Sequence, residues 1–209
     1  MSKILSNVRY LPIGDSYTIG EGVPINENFP SQLSEKLNQQ NHITKVIANP
    51  AVTGFTTQNV IEKQLPLLKS QKPNFCTLLI GVNDWVQQIS SQTYKTNLEQ
   101  IIEEIKKQVD TQFVVISIPD FSVSKEASKY SKGRNISKGI EEFNHIAKTI
   151  TQQQNISFAD IFTLSQQQNT AAYFAKDQLH PSPKAYEEWV SIILPKALKV
   201  LSPSPQLGV

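Results

Sequence analysis

Val8-Arg9-Tyr10-Leu11-Pro12-Ile13-Gly14-Asp15-Ser16-Tyr17 reads as a short apolar strand, Val8–Ile13, that runs into a glycine turn and delivers a serine at its end. Pro12 sits oddly in it. Proline cannot donate to a sheet ladder, so it is expected to mark a strand end or a bulge just before the turn. Four further apolar runs predict strands at Lys45–Ala48, Phe75–Ile80, Phe113–Ile118 and Ser157–Ala159. Between them, helical periodicity covers Pro30–Gln40, Thr57–Leu68, Thr93–Val109 and Ser137–Gln153. The clearest case is Thr93–Val109, with Leu98, Ile101, Ile102, Ile105 and Val109 on one face. A last helix is expected from Pro183 towards Lys199, bent or broken at Pro195. Strands alternating with amphipathic helices predict an α/β domain built on a parallel sheet.

The bulk properties exclude several classes of function. At 209 residues, one domain over 1–201 is expected, with a flexible tail at 202–209. Such a chain buries roughly 70–75% of its unfolded surface and needs no staples. A net charge of +2, with 39% hydrophobic and 18% charged residues, gives no footprint for nucleic acid or an anionic membrane. The one cysteine, Cys76, lies in an apolar run, which excludes an intrachain disulfide framework and reads as a buried structural thiol. No apolar run approaches the ~20 residues of a membrane span, and the first ten residues lack the apolar core of a signal peptide. A cytoplasmic chain is the expectation. The stretch Pro119–Asn135 is polar and without strong periodicity, and reads as a long loop or a frayed helix of the kind that forms lids or binding loops.

In an open parallel sheet, ligands bind beyond the carboxyl ends of the strands. Three blocks fall there: Gly14-Asp15-Ser16, Asn49-Pro50-Ala51-Val52-Thr53-Gly54-Phe55, and Gly81-Val82-Asn83-Asp84. Each alone has an ordinary reading as a turn or a helix cap. Together they supply what acyl transfer needs. Ser16 is a nucleophile whose backbone N–H can donate, Gly54 leaves an N–H open to close approach, and Asn83 offers a neutral amide donor. A serine needs a base, and the base needs an orienting group. Of the three histidines, His42 and His145 read as surface or packing residues. His180 differs, because Pro181 and Pro183 stiffen its surroundings and Asp177 precedes it by three. In a single turn that spacing lets Asp177 accept from Nδ1–H and leaves Nε2 facing the serine. Asp177 as a plain turn cap is the competing reading. Asp15 and Asp84 are assigned to loop architecture. Phe55, Trp85 and Phe121 follow strand ends and read either as walls of an acyl or alcohol site or as core.

These four blocks, in this order, resemble the GDSL-type esterases and lipases of the SGNH hydrolase superfamily, with Gly-Val-Asn-Asp and Asp-x-Leu-His-Pro matching closely. The resemblance runs from Gly14 to Pro183; Tyr17 stands where the family name has leucine, and Pro12 and Pro50 are departures. It implies a three-layer α/β/α sandwich around a five-stranded parallel sheet in a flavodoxin-like arrangement. It further implies catalytic Ser16, Asp177 and His180, and an oxyanion hole of Ser16, Gly54 and Asn83. The partner would be a small-molecule ester, with no metal and no organic cofactor. An acyltransferase or a carbohydrate O-acetylesterase could use the same residues. A binding or signalling module with Asp15 as an acidic ligand would leave Asp177, His180 and Asn83 without a task.

Overall fold

The computed structural model describes residues 6–108 and 111–202. Five strands, β1 (Ser6–Gly14), β2 (His42–Val46), β3 (Phe75–Leu79), β4 (Gln112–Ile116) and β5 (Ser157–Ala159), form one sheet in the order β2-β1-β3-β4-β5. Every neighbouring pair is parallel. The central strands are buried on both faces, which is why they appear in sequence as unbroken apolar runs.

The helices are α1 (Ser16–Ile19), α2 (Phe29–Gln39), α3 (Thr57–Asn59), α4 (Pro66–Gln71), α5 (Val82–Val86), α6 (Ser91–Lys106), α7 (Ser128–Ser131), α8 (Ile136–Gln153), α9 (Phe162–Gln167) and α10 (Pro183–Leu201). Helices α2 and α10 pack together on one side of the sheet, while α6 and α8 pack together on the other. From β1 the chain moves one way to β2, and from β3 it moves the other way to β4. The carboxyl ends of β1 and β3 therefore border the topological switch point, where an open α/β sheet leaves a crevice.

Several expectations need correction. Pro12 is neither a strand end nor a bulge: it pairs in regular register with Thr77. Backbone groups along a strand alternate sides, and Tyr10 C=O faces β2, accepting from Ile47 N–H at 2.9 Å. Pro12 therefore faces the same side, but the β1–β2 register ends at Tyr10↔Val46, so no ladder bond is lost. Helix α10 continues unbroken through Pro195. Pro195 and Ser191, whose carbonyl it leaves without a partner, are both exposed to solvent. The single helix expected over Thr57–Leu68 is instead α3, a π-helical turn at Val60–Gln64, and α4. The segment 119–135 is neither a bare loop nor a frayed helix, but a 3₁₀ turn at Phe121–Val123 followed by α7. Val109, expected in a helix, and residues 203–209 of the expected tail lie outside the described residues.

Candidate active site

The serine is placed by the end of β1. Gly14 is there for close approach: a Cβ would lie 2.4 Å from Leu79 C=O and 2.2 Å from Thr18 Oγ1. Beyond Tyr10 the β2 side of β1 has no strand, and a side chain replaces it. The buried Gln64 carboxamide accepts from Gly14 N–H at 3.0 Å and donates to Gly14 C=O at 2.7 Å. Asp15 then caps α1, its Oδ1 accepting from Tyr17 N–H at 3.1 Å. Ser16 is the first residue of that helix and is buried to 5% exposure. Its N–H is among the helix-terminal donors that find no partner inside the helix.

The candidate base, His180, comes from the loop before α10. An antiparallel bridge joins Phe174 to Pro181, and Ala175 N–H donates to His180 C=O at 2.8 Å. Asp177 Oδ1 accepts from the N–H groups of Leu179 and His180, each at 3.0 Å, and its Oδ2 lies 2.6 Å from His180 Nδ1. Asp177 thus divides its contacts, Oδ1 capping the turn and Oδ2 meeting the imidazole. Partial burial works against the Asp177 charge, but the bonds from the His180 ring and the two N–H groups outweigh it and hold the carboxyl below its usual range. With Nδ1–H directed at a carboxylate, Nε2 is the acceptor nitrogen. The Tyr17 ring, one residue from Ser16, packs edge-on against the imidazole with centroids 6.0 Å apart.

The remaining blocks close the other side. Gly81 has φ +127°, and a Cβ there would lie 2.6 Å from Tyr94 Cε2, so only glycine can turn β3 into α5. Asn83, in the first turn of α5, donates from Nδ2 to Phe55 C=O at 2.9 Å and approaches Asp15 Oδ2 at 3.5 Å. The second contact is at the edge of hydrogen-bonding range, which leaves that N–H available to a better acceptor. Gly54 has φ +84°, is exposed, and has no atom within 4 Å of where a Cβ would stand. Its loop is tied down by Asp84, whose Oδ2 accepts from Thr57 N–H at 2.9 Å, and by Asn97, which donates to Thr57 Oγ1 at 2.9 Å.

Asp15 is fully buried. Burial pushes its carboxyl up to about 8, helped by the neighbouring Asp84 charge and opposed by the Tyr17 N–H bond. Its neutral form is favoured at neutral pH. A fully buried carboxyl that caps α1 is out of reach of an external ligand, which removes the signalling-module reading. Trp85 and Phe121 pack against each other in the core, with centroids 6.0 Å apart, and Phe121 also lines a small cavity with Tyr17, Leu179 and Pro181. Phe55 alone of the three is half-buried beside Gly54. Sequence reasoning missed Gln64, whose contact with Gly14 spans 50 residues and leaves no local signal.

The family model described as GDSL-like Lipase/Acylhydrolase matches residues 13–188, from the end of β1 into α10. The chain belongs to this family. An arylesterase from Vibrio mimicus is 24% identical over 184 residues, covering 88% of this chain and 84% of the relative. A family 3 carbohydrate esterase from Clostridium thermocellum superposes with a TM-score of 0.76 at 18% identity, covering 94% of this chain and 98% of that one. A lipase/acylhydrolase from Enterococcus faecalis superposes with a TM-score of 0.75 at 20% identity, covering 94% and 98%. The α/β/α sandwich is thus the GDSL-family fold, and the GDSL family makes this chain an ester-hydrolysing serine hydrolase acting on small-molecule esters. Among the described residues, no helix is long and apolar enough to cross a membrane.

Proposed function

We propose that Ser16 is the acyl-accepting nucleophile of this esterase, with His180 as its base and Asp177 as the group that orients and charge-balances the imidazole. The observation that carries the reading is the 2.6 Å Asp177–His180 bond on a loop whose imidazole packs against the residue after Ser16. His180 Nε2 takes the Ser16 proton as Oγ attacks the acyl carbonyl, then returns it to the departing alkoxide. Water, activated by the same nitrogen, releases the acid. The oxyanion sits among Ser16 N–H, Gly54 N–H and Asn83 Nδ2–H, and each such donor is worth about 3–4 kcal/mol of transition-state stabilisation.

Labelling with a fluorophosphonate probe, followed by peptide mapping, is the test. Label on Ser16, with none on Ser16→Ala and no turnover of p-nitrophenyl acetate by that variant, is the expected result. Activity retained by Ser16→Ala would sink the mechanism. A second reading, de-acetylation of carbohydrates, is favoured by the carbohydrate esterase fold match and by the open surface at Gly54. Acetate release from acetylated sugars at rates above those with simple alkyl esters supports it.

A further inference from the structure

The proposed oxyanion donor Asn83 rides on α5, a helix of five residues. An isolated helix that short is unstable in water, so its orientation must be imposed from outside. Its start is fixed by Gly81 against Tyr94. Its end is held by a residue from the segment 119–135. Arg134 Nη1 donates to Trp85 C=O at 2.7 Å, a carbonyl that also accepts from Gln88 N–H at 3.1 Å, and Nη2 donates to Val86 C=O at 3.3 Å, so the guanidinium sits at the negative end of the helix. The guanidinium carbon lies 3.9 Å from the Trp85 ring centroid, stacked on its face. A third bond, Arg134 Nε to Ser131 C=O at 3.2 Å, ties the clamp back to α7.

The Trp85 indole is enclosed on its other sides. Phe121 meets it edge-on, and Gly139 of α8 comes so close that a Cβ would stand 1.7 Å from Nε1. Residues two apart on a helix point to opposite sides. Trp85 is the buried side of α5 and Asn83 the crevice side, so any roll of the helix that frees Trp85 swings the Asn83 amide away from the site. We infer that Arg134 is a positioning residue for catalysis: by clamping the C-terminus of α5 and the Trp85 ring, it sets the angle at which Asn83 meets the oxyanion. The inference rests on the oxyanion role proposed for Asn83.

A double-mutant cycle on p-nitrophenyl acetate, run well below the melting temperature, tests it. Asn83→Ala alone should lower kcat by about 10²–10³-fold. Arg134→Ala alone should lower kcat about tenfold with KM within about twofold, as for an interaction made in the transition state. In the Asn83→Ala background, Arg134→Ala should change kcat by less than about twofold, because the group it positions is gone. An equal loss in both backgrounds, or no loss in either, overturns the inference. An Asn83→Ala enzyme with unchanged kcat defeats the oxyanion reading instead, and the Arg134 role with it. Should Arg134→Ala not fold, Arg134→Lys enters the same cycle, since lysine lacks the planar fork and is expected to give the same pattern.

Discussion

Asp15→Asn should make this protein more stable near neutral pH, even though the position adjoins the proposed nucleophile. Asp15 is fully buried, and its carboxyl is pushed up to about 8 by that burial and by Asp84. In the unfolded chain an aspartate titrates near 3.9. Between about pH 5 and pH 7 the folded protein therefore holds a proton that the unfolded chain has lost. Stability tied to this group is fully present below the unfolded value and declines as pH rises towards 8. Unfolding releases about one proton across the window, so the decline is about 1.4 kcal/mol per pH unit, or about 3 kcal/mol from pH 5 to pH 7. Asparagine resembles the protonated acid, keeps an oxygen to accept from Tyr17 N–H, and does not titrate. The stability gap between Asp15→Asn and wild type should thus widen by about 3 kcal/mol over those two units. For a chain of this size that is about 6–12 °C in Tm. Thermal melts of both proteins at pH 5, 6 and 7 measure it. A gap that stays constant with pH would show that Asp15 is ionised in the folded state and would refute the reasoning.

Gln64→Leu should leave the N–H and C=O of Gly14 buried without partners, at about 1–3 kcal/mol each, and lower Tm by about 4–24 °C; a Tm unchanged within about 2 °C would show that another group takes its place. Asp177→Asn keeps an oxygen for the turn N–H groups but loses the acceptor for His180 Nδ1–H. It should therefore melt near wild type while kcat falls about 10³–10⁴-fold, and a fall smaller than about tenfold would reduce Asp177 to a turn cap.

What could be read from sequence divides by the distance over which each interaction acts. Strands β3 and β4 were legible because a parallel strand buried on both faces is an apolar run whatever its neighbours, whereas the more exposed β2 lies at His42–Val46 and was expected at Lys45–Ala48. The candidate site was legible because Asp177 and His180 share one turn, and Ser16, Gly54 and Asn83 each sit in a block that marks its own strand end. Pro12 was misjudged because its tolerance depends on where β2 stops, a property of the sheet. The supports of the site were invisible for the same reason. Gln64 acts on Gly14 across 50 residues, Asn97 on Thr57 across 40 and Arg134 on Trp85 across 49. No local pattern announces a buried amide standing in for a strand.

Two carboxyl groups flank the proposed nucleophile, and their environments drive them apart. Asp177 is partly buried yet ionised, because three N–H donors converge on it. Asp15 is one residue from Ser16 yet neutral, because burial next to Asp84 offers its charge too little compensation. The difference suits the two ends of the reaction. In the proposed mechanism, His180 takes the serine proton and positive charge forms beside Asp177, where a fixed negative charge stabilises it. At the same moment negative charge forms on the acyl oxygen, near Asn83 and therefore near Asp15. An ionised Asp15 would oppose that charge through a low-dielectric interior, where the repulsion is strong. A protonated Asp15 does not, and it still caps the helix that carries Ser16. On the proposed mechanism, hydrogen bonds hold one carboxylate charged where a cation must form, and burial keeps the other carboxyl uncharged where an anion must form.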